Sequence, residues 1–396
     1  MEAPLRRGLR SSPDGSPATD GAPQREFRPL ATTSAPLLTR RALKRAFLAR
    51  QGLLHRSPGS LLQTVEHLVG MQAQSPLAPY IGLWTRLDPF RPEELAGAVT
   101  EGRAVRTSLM RSTLHLVTAR DALLLRPLIR PVLERAWASS PFARLVAGID
   151  KDELLEAGRR LLEEEPRTIA GLGKLLGARW PGRDANGLAY TVRYLLPLVQ
   201  LPPRGVWGGR GQATWTTLEV WLGRPVAEGM QPEEMVRRYL AAFGPASVMD
   251  IQAWCWLTRL RAVVEPMRPQ LRVFRDEAGR ELFDVPDGPL PDPETPAPTR
   301  FLPEYDNALL SHADRSRVTS RGYGERAFTR GSFLVDGFVR GAWKIARRPG
   351  HATLEVELFE GLAAGGRVEV ETEGTRLLGF AAPDAEAREV RFIGSG

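Results

Sequence analysis

Apolar residues recur along much of the chain at spacings of three and four positions, which is typical of helices with one buried face. In the first part of the chain this spacing predicts helices over residues 38–52, 61–69, 77–87 and 91–101. Further helices are predicted over residues 151–164, 169–176, 188–198, 232–243, 247–257 and 258–267. The protein is therefore expected to be mainly helical.

The helical spacing gives way three times to short alternating stretches, which predict β-hairpins. The predicted strand pairs are residues 105–109 with 113–117, 205–208 with 213–215, and 271–274 with 281–285. Each pair follows a group of helices, and helices closed by a hairpin are typical of a winged helix. Three such cycles suit small domains in tandem.

These patterns divide the chain into five predicted segments. Residues 1–36 are rich in Pro, Gly, Ser, Ala and Thr, and are expected to form a disordered tail. Three winged-helix domains are predicted over residues 37–140, 150–222 and 230–290. Residues 300–396 are expected to form a β-rich domain with strands at 333–339, 353–359, 367–372 and 389–393. The predicted fold class is α+β, mainly α with small β-hairpins.

The charge is unevenly distributed along the chain. Of the net charge of +8, residues 37–350 carry +12, whereas residues 351–396 carry −5. A basic body favours a polyanionic partner. However, 50 of the 54 basic residues are Arg, and a GC-rich coding sequence would produce this excess without any selection for binding.

Other features exclude several classes of protein. The single cysteine, Cys255, cannot form an intramolecular disulfide, and within the run Trp-Cys-Trp it is expected to be a buried, inert thiol. The chain has no apolar stretch of membrane-spanning length and no signal-peptide core, so we expect a cytoplasmic, nucleoid-associated protein. Walker, paired-cysteine, His-Glu-x-x-His and nucleophile-elbow patterns are lacking, which disfavours nucleotide-driven, zinc and serine-hydrolase chemistry.

Gln72 and Gln74 form the most distinctive local pattern. They lie in the stretch Gly-Met-Gln-Ala-Gln-Ser-Pro over residues 70–76, where the second predicted helix meets a turn. Each amide offers an acceptor oxygen and two N–H donors, so a pair at a helix end could hold and orient one water molecule. On the motif alone, the pattern favours two glutamines that simply solvate a helix end.

The wider context resembles the AlkZ-like winged-helix DNA glycosylases, a bacterial family that excises bulky alkylated bases and unhooks crosslinks. The motifs that carry the resemblance follow one another in the order and spacing of that family. They are residues 70–74, 83–87, 109–117, 243–247, 301–307 and 311–315. In one departure, Ser112 stands where family members usually have the glycine of Arg-Gly-Thr.

The resemblance implies three winged-helix units around a C-shaped, basic channel, with Gln72 and Gln74 as catalytic residues. The expected activity is a monofunctional N-glycosylase that acts on cationic or bulky alkylated purines in double-stranded DNA. The expected protein is a monomer that needs no cofactor and no metal. The implied biological role is base excision repair, with crosslink unhooking or self-resistance to a genotoxin.

Several residues near the first hairpin are candidate DNA contacts. Arg111 is expected at the hairpin tip against a phosphate, and Arg106 and Arg86 are also expected to contact DNA. For His115 a structural role with satisfied hydrogen bonds competes with a DNA contact. Asp306 is expected to form an ion pair with Arg315.

Two other readings of the whole chain remain open. Winged helices also occur in transcriptional regulators, so the chain could be a non-catalytic DNA-binding protein. A weaker alternative is an RNA-binding or structural protein whose Arg excess reflects base composition. A base-excision assay separates the glycosylase from both.

Overall fold

The computed structural model describes residues 35–226, 228–319 and 329–394, which contain both helices and strands. The predicted tail therefore lies almost entirely outside the described residues. The helices are α1 Arg40–Arg50, α2 Leu61–His67, α3 Ala78–Trp84, α4 Pro92–Thr100, α5 Ala119–Ala138, α6 Pro141–Leu145, α7 Lys151–Glu164, α8 Ile169–Arg179, α9 Ala185–Leu195, α10 Leu218–Leu222, α11 Pro232–Phe243, α12 Val248–Cys255, α13 Arg261–Met267, α14 Asn307–Leu310 and α15 Gly366–Ala381. None of the described helices is long and apolar enough to cross a membrane.

The strands form three sheets. They are β1 Leu37–Leu38, β2 Met71–Gln72, β3 Ala104–Ser108, β4 Leu114–Thr118, β5 Leu198–Gln200, β6 Trp215–Thr217, β7 Arg272–Asp276, β8 Glu281–Asp284, β9 Arg300–Leu302, β10 Gly331–Val335, β11 Phe338–Arg348, β12 His351–Leu358 and β13 Ala387–Ile393. The strand orders are β2-β4-β3-β5-β6, β1-β7-β8 and β13-β12-β11-β10-β9. We call the first of these the hairpin sheet, because it contains the hairpin β3–β4.

The hairpin sheet joins two regions that the sequence pattern treats as separate domains. The predicted first hairpin is confirmed as β3 and β4, which pair antiparallel around a 3-10 turn at Met110–Ser112. The predicted strand at residues 205–208 is wrong, because this glycine-rich stretch is a loop and β6 pairs instead with the apolar strand β5. Since β5 also pairs with β3, all five strands form one continuous sheet.

The helices α11 and α12 build the core beside this sheet. Ser247 caps α12 through a reciprocal pair of hydrogen bonds with Asp250, which ends the preceding turn and starts the helix. Tyr239 and Phe243 of α11 pack against Trp254 of α12, with ring centroids 5.1 and 5.7 Å from the Trp254 ring. This packing fixes the end of α12 close to the hairpin turn. The predicted third hairpin is confirmed as β7 and β8.

The C-terminal region is a five-stranded sheet covered by α15, and two predictions fail here. The predicted strand 333–339 is interrupted by a turn at Asp336 and Gly337, both with positive φ, which separates β10 from β11. The predicted strand 367–372 is helical. Val370, Leu377 and Leu378 recur at helical spacing and are buried, and this longer pattern outweighs the local alternation.

Candidate active site

Gln72 lies in the edge strand β2, and Gln74 follows it two residues later. After α2 the backbone reverses at Val69 and Gly70, whose φ angles are 51° and 90°. A Cβ on Gly70 would lie 2.5 Å from Cγ1 of Val117, so only glycine lets β2 approach β4 here. Asn307 Nδ2 donates to the Gly70 carbonyl over 2.7 Å and holds this turn in place.

The strand geometry explains why one residue separates the two glutamines. Side chains two positions apart in an extended chain point to the same face, whereas Ala73 points to the opposite face and is fully buried. The Ala73 N–H donates to the Leu114 carbonyl over 2.7 Å and continues the pairing of β2 with β4. The expectation that the amides project from a helix end is therefore wrong.

A chain of hydrogen bonds orients both amides. Arg111 Nη2 donates to Gln72 Oε1 over 2.7 Å, and Gln72 Nε2 donates to Gln74 Oε1 over 2.6 Å. Arg111 Nη1 also donates to the Trp254 carbonyl over 2.6 Å. A guanidinium only donates, so it must face the oxygen of Gln72, and Gln72 must then present its nitrogen to Gln74. We call these three side chains the Arg–Gln–Gln chain.

Arg111 does not protrude from the tip of the hairpin. It is half-buried, and burial lowers the pKa of its guanidinium to about 10. Arg111 and Ser112 both have a positive φ, of 54° and 56°, which turns the Arg111 side chain towards Gln72 and α12. A glycine at position 112 would adopt this backbone without strain, which accounts for the residue more usual there. No observation on the structure tests the expected contact of Arg111 with DNA.

His115 lies directly across from Gln72 in the β2–β4 pair, so both side chains are on one face of the hairpin sheet. The imidazole is buried, and burial together with the Arg111 charge lowers its pKa to about 3. Nδ1 is 3.0 Å from the Thr113 carbonyl and therefore carries the proton. Nε2 is then a buried acceptor without a partner among the described residues. The expectation that the hydrogen bonds of this histidine are all satisfied is therefore wrong for Nε2.

Arg86 and Asp306 form a buried, bidentate ion pair. Their N–O distances are 2.9 and 2.7 Å, and both side chains are about 1% exposed. The expected pairing of Asp306 with Arg315 is wrong, because Arg86 occupies the carboxylate. A DNA contact by Arg86, which no observation tests, would require this ion pair to open.

Arg106 is also buried, but it lacks a carboxylate partner among the described residues. Its Nη2 donates to the Ala73 carbonyl over 2.6 Å, directly between the two glutamines, while Nε and Nη1 have no hydrogen-bond partner. Burial lowers the pKa of Arg106 to about 10. The guanidinium therefore stays charged at neutral pH beside the backbone that carries Gln72 and Gln74.

The family model for DNA glycosylase AlkZ-like proteins matches residues 65–380, which include all of the site residues described above. The chain belongs to the AlkZ-like DNA glycosylase family. The structure of the Streptomyces sahachiroi DNA glycosylase AlkZ is similar to this AlkZ-like protein, with a TM-score of 0.70 and 21% sequence identity. The similarity covers 90% of this chain and 100% of that one. No curated protein sequence matches the chain.

Two parts of the AlkZ-like site were missed in the sequence. The Trp254 carbonyl and the Asn307 amide hold the site together, yet they lie far along the chain from residues 70–74. A main-chain carbonyl leaves no signal in the residue type at its position. Asn307 ends the motif at residues 301–307, but nothing in that motif indicates that its amide holds the turn at Gly70. Cys255, one residue beyond Trp254, is buried as expected, and burial raises its pKa to about 12.

Proposed function

We propose that this protein is a monofunctional DNA glycosylase that hydrolyses the N-glycosidic bond of cationic alkylated purines in double-stranded DNA. The observation that carries the proposal is the Arg–Gln–Gln chain, which presents two oriented amides on one face of an edge strand. Membership of the AlkZ-like DNA glycosylase family supports the class of reaction.

The chemistry needs little acid catalysis. Alkylation of a purine ring nitrogen makes the base a cation, so the base leaves with the electron pair of the glycosidic bond and becomes neutral. The sugar carbon acquires oxocarbenium character and is captured by a water oxygen, and one proton passes to the solvent. A group that holds this water against the sugar and complements the developing charge accelerates the step.

The amides of Gln72 and Gln74 suit this task. Each amide oxygen accepts one hydrogen bond within the Arg–Gln–Gln chain and keeps a second lone pair, which can bind a water molecule or face a cationic sugar. Arg111 prevents Gln72 from rotating its N–H₂ group into that position. The three groups would thus be oriented before the substrate binds, which is the condition for effective electrostatic stabilisation.

Space for adducts larger than a methyl group lies next to Ser75, the residue that follows Gln74. A cavity of about 1,040 Å³ begins at Ser75 and has an apolar wall of Leu77, Ile81 and Trp207. Cavities of this order hold drug-sized ligands. We therefore extend the proposal to bulky adducts and to interstrand crosslinks, bound by a monomer with three winged-helix units around an open channel.

A duplex with a single 7-methylguanine tests the proposal. We expect the protein to release the base and leave an abasic site, which alkali but not the protein itself cleaves. The matched control is a duplex with 7-deaza-7-methylguanine, which has the same shape without the positive charge and should not be cleaved. Tight binding of both duplexes without any release of base would instead favour a non-catalytic DNA-binding protein.

A further inference from the structure

A polar cavity of about 420 Å³ opens beside Gln74, the last member of the Arg–Gln–Gln chain. Its described lining contains three arginines and three glutamines but no carboxylate. The polar lining residues are Gln74, Arg106, Ser112, Thr113, Arg193, Gln200, Arg204 and Gln212. We call this space the arginine pocket.

Three separate elements bring the arginines together. Arg106 is on β3, Arg193 is on α9, and Arg204 is in the loop after β5. The Arg193 guanidinium lies over the rings of Tyr190 and Trp215, 5.5 and 5.1 Å from their centroids, which orients it.

The loop that carries Arg204 is anchored at the next residue. The Tyr80 hydroxyl donates to the Gly205 carbonyl over 3.0 Å and accepts from the Trp207 N–H over 2.9 Å. Gly205 has a φ of 86°, and a Cβ there would lie 2.4 Å from Arg106 Nη1. The loop is thus held against the Arg106 guanidinium, and Arg204 is placed at the rim of the pocket.

Within the described residues, the three guanidiniums form no ion pair. Arg106 is only 2% exposed and keeps Nε and Nη1 without partners. A buried charge without a counterion is costly, and Arg204 adds like-charge repulsion to it. An anion from outside the protein would remove both penalties.

We propose that the arginine pocket binds one backbone phosphate of the DNA strand that carries the damaged base, next to Gln74. Guanidinium groups match phosphate oxygens in geometry and charge. A phosphate held there would fix the position of the adjoining sugar relative to Gln72 and Gln74. The inference rests on the proposed function, because it takes the anion to be that of the DNA substrate.

Binding without catalysis tests the pocket. The probe is a duplex with one tetrahydrofuran abasic analogue, in which the linkages around the analogue are replaced one at a time by neutral methylphosphonates. We expect one linkage to weaken binding by the wild type about tenfold, as for the loss of a charge-assisted hydrogen bond. The variant R193Q/R204A should lose less than twofold at that linkage, because its partners are already missing.

The control is R160A, which removes an exposed arginine on α7 outside the pocket and should respond to the linkage like the wild type. Circular dichroism checks folding, and R204A, whose side chain is exposed, replaces the double variant if that variant is unfolded. Equal losses at every linkage in all these proteins would overturn the inference. So would competition by inorganic phosphate at constant ionic strength without this coupling, which would assign the pocket to a free anion.

Base release is measured separately on the duplex with 7-methylguanine. Release of base without the coupling would refute the pocket and leave the proposed function intact. Coupling without release of base would refute the proposed activity and leave the phosphate site in place.

Discussion

Arg111 binds Gln72 through the amide oxygen, over 2.7 Å, and its other terminal nitrogen is bound to the carbonyl of Trp254. An arginine that was expected to meet DNA from a hairpin tip is thus engaged with the candidate catalytic residue. This changes what its removal should do, because the contact that is lost is internal to the site.

We expect Arg111→Met to slow base release while leaving the affinity for DNA nearly unchanged. Without the guanidinium, Gln72 is free to rotate its amide, so the oriented pair is lost. Loss of one positioning hydrogen bond corresponds to about 1–3 kcal/mol in the activation free energy. Single-turnover rates and fluorescence anisotropy at several salt concentrations measure the two quantities. A shallower salt dependence of binding with an unchanged rate would show that Arg111 contacts phosphate instead.

Gln72→Ala and Gln74→Ala should each slow the release of 7-methylguanine without weakening the fold. The expected cost is about 2–4 kcal/mol, by analogy with the removal of one donor from an oxyanion hole. The double variant should cost less than the sum, since we propose that both amides act on the same water molecule and sugar. The control is Gln231→Ala, because Gln231 is exposed and lies outside the site, whereas Gln51 is buried. Wild-type rates in both single variants would refute the catalytic assignment.

Stability should fall in acid because of His115. Its pKa is about 3 in the folded protein and about 6.5 when unfolded. Below pH 6.5 the unfolded chain therefore binds the proton first, and the free energy of unfolding drops by up to about 1.4 kcal/mol per pH unit until pH 3. Urea unfolding at pH 7 and pH 5 should show a smaller drop for His115→Gln.

The histidine control is the exposed His55→Gln, which should keep the wild-type dependence on pH. His312, buried with a pKa also near 3, accounts for a further part of the acid sensitivity and remains in both variants. An identical pH dependence in the wild type and His115→Gln would contradict the assignment of a buried, neutral imidazole.

Arg86→Met should destabilise the protein by about 3–5 kcal/mol, because it leaves the Asp306 carboxylate buried without its partner. The additional change Asp306→Leu should recover much of this loss, since it removes the unpaired charge. Urea denaturation measures the stabilities, and DNA binding at several salt concentrations tests whether Arg86 also meets phosphate. A stable Arg86→Met variant with a shallower salt dependence would favour the DNA contact.

The first hairpin and the glutamine motif can be predicted from the sequence because both are local patterns. The alternation at residues 105–109 and 113–117 identifies β3 and β4, and residues 70–74 contain both glutamines. A strand of two residues such as β2 leaves no periodic signal, so the sequence alone predicts a helix end at the motif. Its true setting depends on pairing with β4, more than 40 residues away.

The partners of the buried charged side chains cannot be predicted from the sequence, for a different reason. Arg111 contacts Trp254, and Arg86 contacts Asp306, across long stretches of chain. In the sequence, many carbonyl and carboxylate oxygens are possible partners for each arginine. Only packing decides among them. The same holds for residues 367–372, where alternating valines suggest a strand until the contacts of Val370 are known.

In the edge strand β2, the atoms that hold the strand in the sheet differ from the atoms that form the candidate site. Its main chain forms the bonds to β4, and only the small residues Gly70 and Ala73 are required by close packing. Positions 72 and 74 contribute side chains that no part of the sheet depends on. Other side chains at these two positions would therefore leave the strand that presents them intact.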